Sequence, residues 1–248
     1  MAEQEKPIIL LIHGAWHIPL HYRYLIDGIR NRGYTVLAPS LITTGYDDSI
    51  IGKTHLDAAS QIREFLLPYV EQGRSVVVVG HSYGGLVATQ AVVGLTLEER
   101  SARGLAGGVT SLVYISALIK PENSRFKPGV PYPFGWTDLK KLEMAQDFAK
   151  AHLYQDVEQQ RGDEALRLLV FQSAITYVPD ALNEASEVRA AKTYVVCKKD
   201  KIVLPENQYK RAKAAGAQVV ELECGHSPFL LEKETAALVD IVIKAAGE

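Results

Sequence analysis

Apolar residues along this chain fall into two alternating rhythms: short unbroken runs, and longer stretches with a three-to-four-residue repeat. The runs at 7–12, 35–38, 75–79, 112–116, 193–197 and 218–222 are rich in β-branched residues and apolar at successive positions. That pattern predicts strands buried on both faces. Between them, Tyr22, Leu25, Ile26 and Ile29 recur at helical spacing, with Gly33 following as a C-terminal cap. Leu56, Ala59, Ile62, Leu66 and Val70 form a second stripe, and a third helix follows Ser82. A last helix turns Leu238, Ile241, Val242 and Ala245 inward. Strands alternating with helices require right-handed crossovers, which predicts a three-layer α/β domain with a mostly parallel sheet of about six strands.

The alternation stops between about residues 120 and 190. Leu139, Leu142, Met144 and Phe148, then Leu166, Leu169, Val170 and Phe171, suggest helices, and no buried strand is expected there. The segment opens with Pro121, Pro128, Pro131 and Pro133, interleaved with Phe126, Tyr132, Phe134 and Trp136. A rigid connecting loop fits this composition. A helical cap over the carboxyl ends of the strands fits it too, because ligands bind at those ends in open α/β sheets. The expected organisation is a core of residues 1–119 and 191–248 with a cap inserted at 120–190.

Composition narrows the partners more than the fold. A content of 47% hydrophobic and 23% charged residues is ordinary for a globular chain. A formal charge of -2 gives no electrostatic reason for nucleic acid or an anionic membrane as partner. The apolar runs are too short to span a bilayer. Two cysteines, Cys197 and Cys224, make no disulfide framework and are expected near strand ends as small apolar side chains. The polar opening at residues 1–6 lacks the basic start of a signal peptide, so a soluble cytoplasmic protein is the expectation.

The chemistry starts at Gly80-His81-Ser82-Tyr83-Gly84-Gly85, placed between a predicted strand and a predicted helix. This is the G-x-S-x-G pattern of a nucleophile elbow, whose turn is sharp enough to require small neighbours on either side of the serine. It lifts the hydroxyl above the sheet at the amino end of a helix, where developing negative charge is favoured. A serine needs a base, and the base needs an orienting acid. His226 follows the strand at 218–222, and Asp200 follows the strand at 193–197, in the chain order Ser, Asp, His that this elbow uses. Taken alone, His226 reads as a solvated loop residue and Asp200 as an acid among three lysines. Backbone donors for an oxyanion are expected from Ala15, in His13-Gly14-Ala15-Trp16 after the first strand, and from Tyr83.

Other patterns carry less. His13 is expected to pack beside the first loop, and neither His17 nor His21 has a motif around it. Tyr209 and Lys213 match a Tyr-x-x-x-Lys spacing, but no G-x-G-x-x-G follows the first strand, so they read as one solvated helix. No phosphate-binding loop and no metal-ligand spacing is present.

Together, His13-Gly14-Ala15-Trp16, Gly80–Gly85, Asp200-Lys201 and Gly225-His226 resemble the α/β-hydrolase superfamily, over almost the whole chain. Within it the chain is similar to the compact branch that holds plant methylesterases, salicylate-binding esterases and hydroxynitrile lyases. The resemblance implies Ser82 as nucleophile, His226 as base and then acid, Asp200 as orienting acid, and no cofactor. The lyases of that branch carry a threonine where this chain has Gly14 and a lysine where it has Ser227, which argues against cyanohydrin cleavage. A serine at position 82 likewise argues against epoxide hydrolases and dehalogenases, which attack with an aspartate. The implied activity is hydrolysis of a small to medium apolar carboxylic ester, lactone or thioester. Two alternatives stay open: lyase, decarboxylase, dehydratase or cyclase chemistry at the same site, and a ligand receptor on a hydrolase scaffold. Trp16, Phe126, Tyr132, Phe134, Trp136, Tyr154, Phe171 and Tyr177 are the expected substrate contacts, though all but Trp16 also read as cap core. The partner is a small ester-like molecule, and a homodimer is left open.

Overall fold

The computed structural model describes residues 5–119, 140–177 and 180–247. All six predicted strands form, and they join one sheet. They are β1 (Ile8–Ile12), β2 (Val36–Leu37), β4 (Ser75–His81), β5 (Gly108–Ile115), β8 (Ala191–Cys197) and β9 (Gln218–Leu222). Their order is β2-β1-β4-β5-β8-β9, and every pairing is parallel. Ile8 to Ile12 lie opposite Val76 to Gly80 in register. Every residue of β1 is buried, which requires cover on both faces of the sheet.

Helices supply that cover. They are α1 (Arg23–Asn31), α2 (His55–Glu71), α3 (Tyr83–Val92), α4 (Leu97–Ser101), α7 (Pro205–Ala215) and α8 (Glu232–Ala245). α1 packs on α8 and α2 on α3. Local signals fix several of their ends. Thr54 caps α2, with Asp57 accepting from the Thr54 amide at 2.8 Å. Gly33, just past α1, takes φ of 80°, the left-handed turn for which the predicted cap was needed. The inward stripe of α8 differs from the predicted one. Leu238, Val239, Val242 and Ile243 are buried, while Ile241 and Ala245 are half-buried at the margin.

The segment between β5 and β8 departs from the expectation of helices alone. Helices do form, α5 (Gln146–His152) and α6 (Gln159–Arg167). But β6 (Lys141–Leu142) and β7 (Phe171–Ser173) join β3 (Thr44–Gly45) in a small antiparallel sheet. α6 ends before Leu168, so Leu169, Val170 and Phe171 do not continue it. Strands of two or three residues carry no period that a sequence could show. The buried Gln172 amide donates to Thr176 Oγ1 at 2.6 Å. The prolines and aromatics at 121–136 lie outside the described residues. Among the described residues, no helix is long and apolar enough to cross a membrane.

Candidate active site

In the strand order, β1 is flanked by β2 and β4, so the chain leaves β1 in one direction and returns on its other side. Crevices at the carboxyl ends of strands form where connections diverge in this way. Ala15 follows β1, Ser82 follows β4, Asp200 follows β8 and His226 follows β9, all at that one rim.

The elbow is as sharp as its sequence predicts. Ser82 sits at φ 50° and ψ −121°, between the last residue of β4 and the first of α3. A Cβ on Gly80 would come within 2.8 Å of the Gly84 carbonyl, and one on Gly84 within 2.2 Å of the Ile12 carbonyl. Only glycine fits at either place. Tyr83 opens α3, whose first amides have no acceptor within the helix.

Asp200 and His226 meet although 26 residues separate them. His226 Nδ1 donates to Asp200 Oδ2 at 2.8 Å, with both side chains buried. Asp200 Oδ1 accepts the amides of Ile202 and Val203 at 2.7 and 3.0 Å, and Gln208 Nε2 reaches Oδ2 at 3.2 Å. An acid buried among lysines in sequence is therefore held by donors in the fold, while Lys201 is exposed. With Nδ1 engaged, Nε2 is the nitrogen of His226 left for exchange with a substrate or nucleophile. Ser82 and His226 line one cavity of about 200 Å³.

The first loop is held from behind. His13 Nδ1 donates to the Gly14 carbonyl at 2.9 Å, and the Leu41 amide donates to His13 Nε2 at 3.0 Å. In a trans peptide this turns the Ala15 amide away from those partners. His17 Nδ1 donates to the Ala15 carbonyl at 2.8 Å, and Trp16 is fixed at φ 59°. The Gly14 amide donates to the Tyr22 hydroxyl at 2.8 Å, which donates to His81 Nδ1 at 2.7 Å. His81 Nε2 donates in turn to the His226 carbonyl at 2.9 Å. One chain of hydrogen bonds thus ties the loop after β1, the elbow and the loop after β9.

Those partners also fix protonation. Burial lowers His13 and His21 to about 4. It drives His17 and His81 well below the ordinary histidine value, with neighbouring imidazoles adding to the fall. All four stay neutral at pH 7, so none of these imidazoles adds a positive charge to the site. Burial likewise raises the Tyr22 and Tyr83 phenols.

The cavity wall is mainly apolar, from Trp16, Leu118, Met144, Phe148, Leu153 and Tyr177, with Lys201, Ile202 and Val203 at one side. Of the aromatic contacts expected from the sequence, Trp16 and Tyr177 line it. Two others do not. Tyr154 is buried with its hydroxyl 3.0 Å from His17 Nε2, and Phe171 lies on β7 with Lys141 Nζ 4.9 Å over its ring. Each satisfies a neighbour outside the cavity, which sequence spacing does not reveal. Phe126, Tyr132, Phe134 and Trp136 fall outside the described residues.

Sequence reasoning set aside His17 and His21 and passed over His81, Tyr22 and Ser116. Ser116 donates to Asp200 Oδ2 and lies 3.3 Å from His226 Nδ1. The only signal for His81 was its place inside the elbow. Cys197 and Cys224 are both buried and near strand ends, as expected, and a contact with Cys224 together with burial raises the Cys197 thiol. Among the described residues, no three His, Cys, Asp or Glu side chains are grouped to hold a metal ion.

Comparison with known proteins gives the family and the fold. Residues 9–241 match the alpha/beta hydrolase family. An alpha/beta hydrolase of Aspergillus novofumigatus is 28% identical over 255 residues, covering 98% of each chain. A methylesterase from Arabidopsis superposes with a TM-score of 0.76 at 17% identity, covering 96% of this chain and 98% of its own. Tomato methylketone synthase I, solved with 2-tridecanone, superposes with a TM-score of 0.72 at 18% identity, covering 97% and 99%. At such identities the two superpositions speak for the fold alone.

Proposed function

Because this chain belongs to the α/β-hydrolase family, matched along residues 9–241, we propose that it is a serine hydrolase of small to medium, largely apolar carboxylic esters. The observation that carries the reading is a strained serine sharing one cavity with an imidazole whose far nitrogen is bound to a buried carboxylate.

In this reading His226 Nε2 takes the Ser82 proton as Oγ attacks the ester carbonyl. The carbonyl electron pair moves onto oxygen, and the amides of Ala15 and Tyr83 donate to that oxyanion. Asp200 holds the imidazole in the required tautomer and steadies the imidazolium. Collapse expels the alcohol, which takes the proton from His226, and Ser82 is left acylated. Water, deprotonated by His226, then releases the acid and restores the serine. Neutral His81 beside the ring supports this cycle, because it adds no positive charge to its imidazolium.

The apolar wall favours hydrocarbon acyl or alcohol groups, and its volume of about 200 Å³ favours short ones. The segment at 120–190 serves as the cap, supplying Met144, Phe148, Leu153 and Tyr177 to that wall. A fluorophosphonate reagent should label Ser82 stoichiometrically, and an activated p-nitrophenyl ester should acylate it as read by intact mass. Turnover that survives Ser82→Ala, with no labelling of the parent protein, assigns the site to base chemistry without an acyl-enzyme instead.

A further inference from the structure

The chain turns sharply where β5 ends. Ser116 takes φ of 42° there, a region that residues other than glycine rarely enter. Among the described residues only two other non-glycines do so, Trp16 and Ser82, and both line the cavity. Ser116 is fully buried, and its amide donates to the Val195 carbonyl at 3.0 Å. On either side of it, the Ile115 carbonyl accepts the Ser82 amide at 3.0 Å and the Leu118 amide donates to the Ser82 carbonyl at 2.8 Å. Its hydroxyl donates to Asp200 Oδ2 and lies 3.3 Å from His226 Nδ1. The turn at 115–118 therefore touches the residue at the elbow, the acid and the imidazole at once.

The geometry points to Ser116 as a positioning residue that fixes the Asp200 oxygen to which His226 is bound, a role whose catalytic consequence rests on the serine-hydrolase reading. Asp200 Oδ1 is pinned by two backbone amides. Among the described residues, Oδ2 has only His226, the long 3.2 Å contact from Gln208 and the Ser116 hydroxyl. Without that hydroxyl the carboxylate pivots about its pinned oxygen, and the imidazole pivots with it. The strained backbone supports the assignment. A residue chosen only to make this turn would be glycine, which adopts the same φ freely. A side chain kept there at a conformational cost is kept for what its hydroxyl does.

The test uses two variants. Ser116→Gly removes the hydroxyl and relieves the backbone, so it should fold and melt at or above the temperature of Ser116→Ala. Ser116→Ala removes the hydroxyl alone. In both, kcat should fall roughly 10- to 100-fold, as for loss of a hydrogen bond to a charged group, with KM within about twofold. In both, the low-field proton resonance of His226 Nδ1–H should move upfield and broaden. A folded Ser116→Gly protein with the parent kcat and an unmoved resonance overturns the assignment. The resonance is read in the resting protein without ester, so it decides the role of Ser116 even where fluorophosphonate fails to label Ser82 and the hydrolase reading falls.

Discussion

The six-stranded sheet and the segment between β5 and β8 share one apolar core but are held in place by different contacts. In the sheet, β1 is buried at all five positions and β4 at its last six, and apolar cover holds the strands. The described part of the insert has helices of seven and nine residues and strands of two and three. Polar contacts pin it to the loops at the site. Gln155 Nε2 donates to the Lys199 carbonyl beside Asp200, and the Gly225 amide donates to Asp156 Oδ2 at 2.6 Å beside His226. Trp16 Nε1 donates to the Leu142 carbonyl at 3.1 Å, and His21 Nε2 to the Ala165 carbonyl at 3.1 Å. Burial decides where the strands go. Directional bonds decide how the cavity wall meets the groups of the site.

The largest effect expected lies on the sheet side of that divide. Ser82→Ala removes one hydroxyl from a turn whose shape is set by Gly80 and Gly84, so the protein should fold as before. Turnover of an activated ester should drop roughly 10⁴-fold or more, measured in the steady state. A loss under tenfold would show that the elbow is architecture only.

Acid should act on both regions through histidines. In the folded protein His13 and His21 are held at about 4, below the ordinary 6.5 that the unfolded chain regains. The unfolded chain therefore binds more protons between those values, and stability is lost as pH falls from about 6.5 toward 4. Each histidine contributes about 3 kcal/mol to that loss. Melting temperatures read by circular dichroism should fall steeply across this window, and less steeply in His21→Asn. His13 is bonded to the loop before β3 and His21 to α6, so His13→Asn and His21→Asn separate the regions. A flat pH–stability curve would mean that these imidazoles are not buried as neutral groups.

How much of this was legible follows the same divide. The strands were visible because burial on both faces writes continuous β-branched runs, and Ser82 was visible because its turn demands Gly80 and Gly84. Asp200 and His226 were nameable as residues after strands, and the fold brings them to 2.8 Å. Ser116 was not, since a serine ending a strand looks the same whether or not its φ is positive. Tyr154 and Phe171 were misplaced for a related reason: an aromatic residue in the insert has the same sequence signature facing a cavity or facing His17. Contacts such as Tyr154 with His17 join positions 137 residues apart and leave no local pattern.

Two smaller effects sharpen the contrast from the side of the insert. Asp156→Ala deprives the Gly225 amide of its acceptor. Because Asp156 itself is exposed and water can answer in part, the cost should be about 1 kcal/mol of stability. Its signature is a fall in kcat of several-fold with little change in KM. Phe148→Ala enlarges the cavity wall without touching a loop of the site. KM for the short acyl esters that pack against that ring should rise roughly threefold to tenfold while kcat changes less. If the two variants exchanged signatures, the pinning contacts would be packing and the wall would be machinery.

The contacts of Gln155 and Asp156 reach beyond this one molecule. A Cβ at Gly225 would come within 2.7 Å of Asp156 Oδ1, so the latch needs a bare backbone on one side and a short acid on the other. Transplanting a foreign lid between β5 and β8 to alter substrate preference would carry away both partners of the Lys199 and Gly225 groups. Chimeras of this scaffold should therefore work when residues 155 and 156 travel with the host, and fail when the exchange boundary is drawn at the ends of the lid.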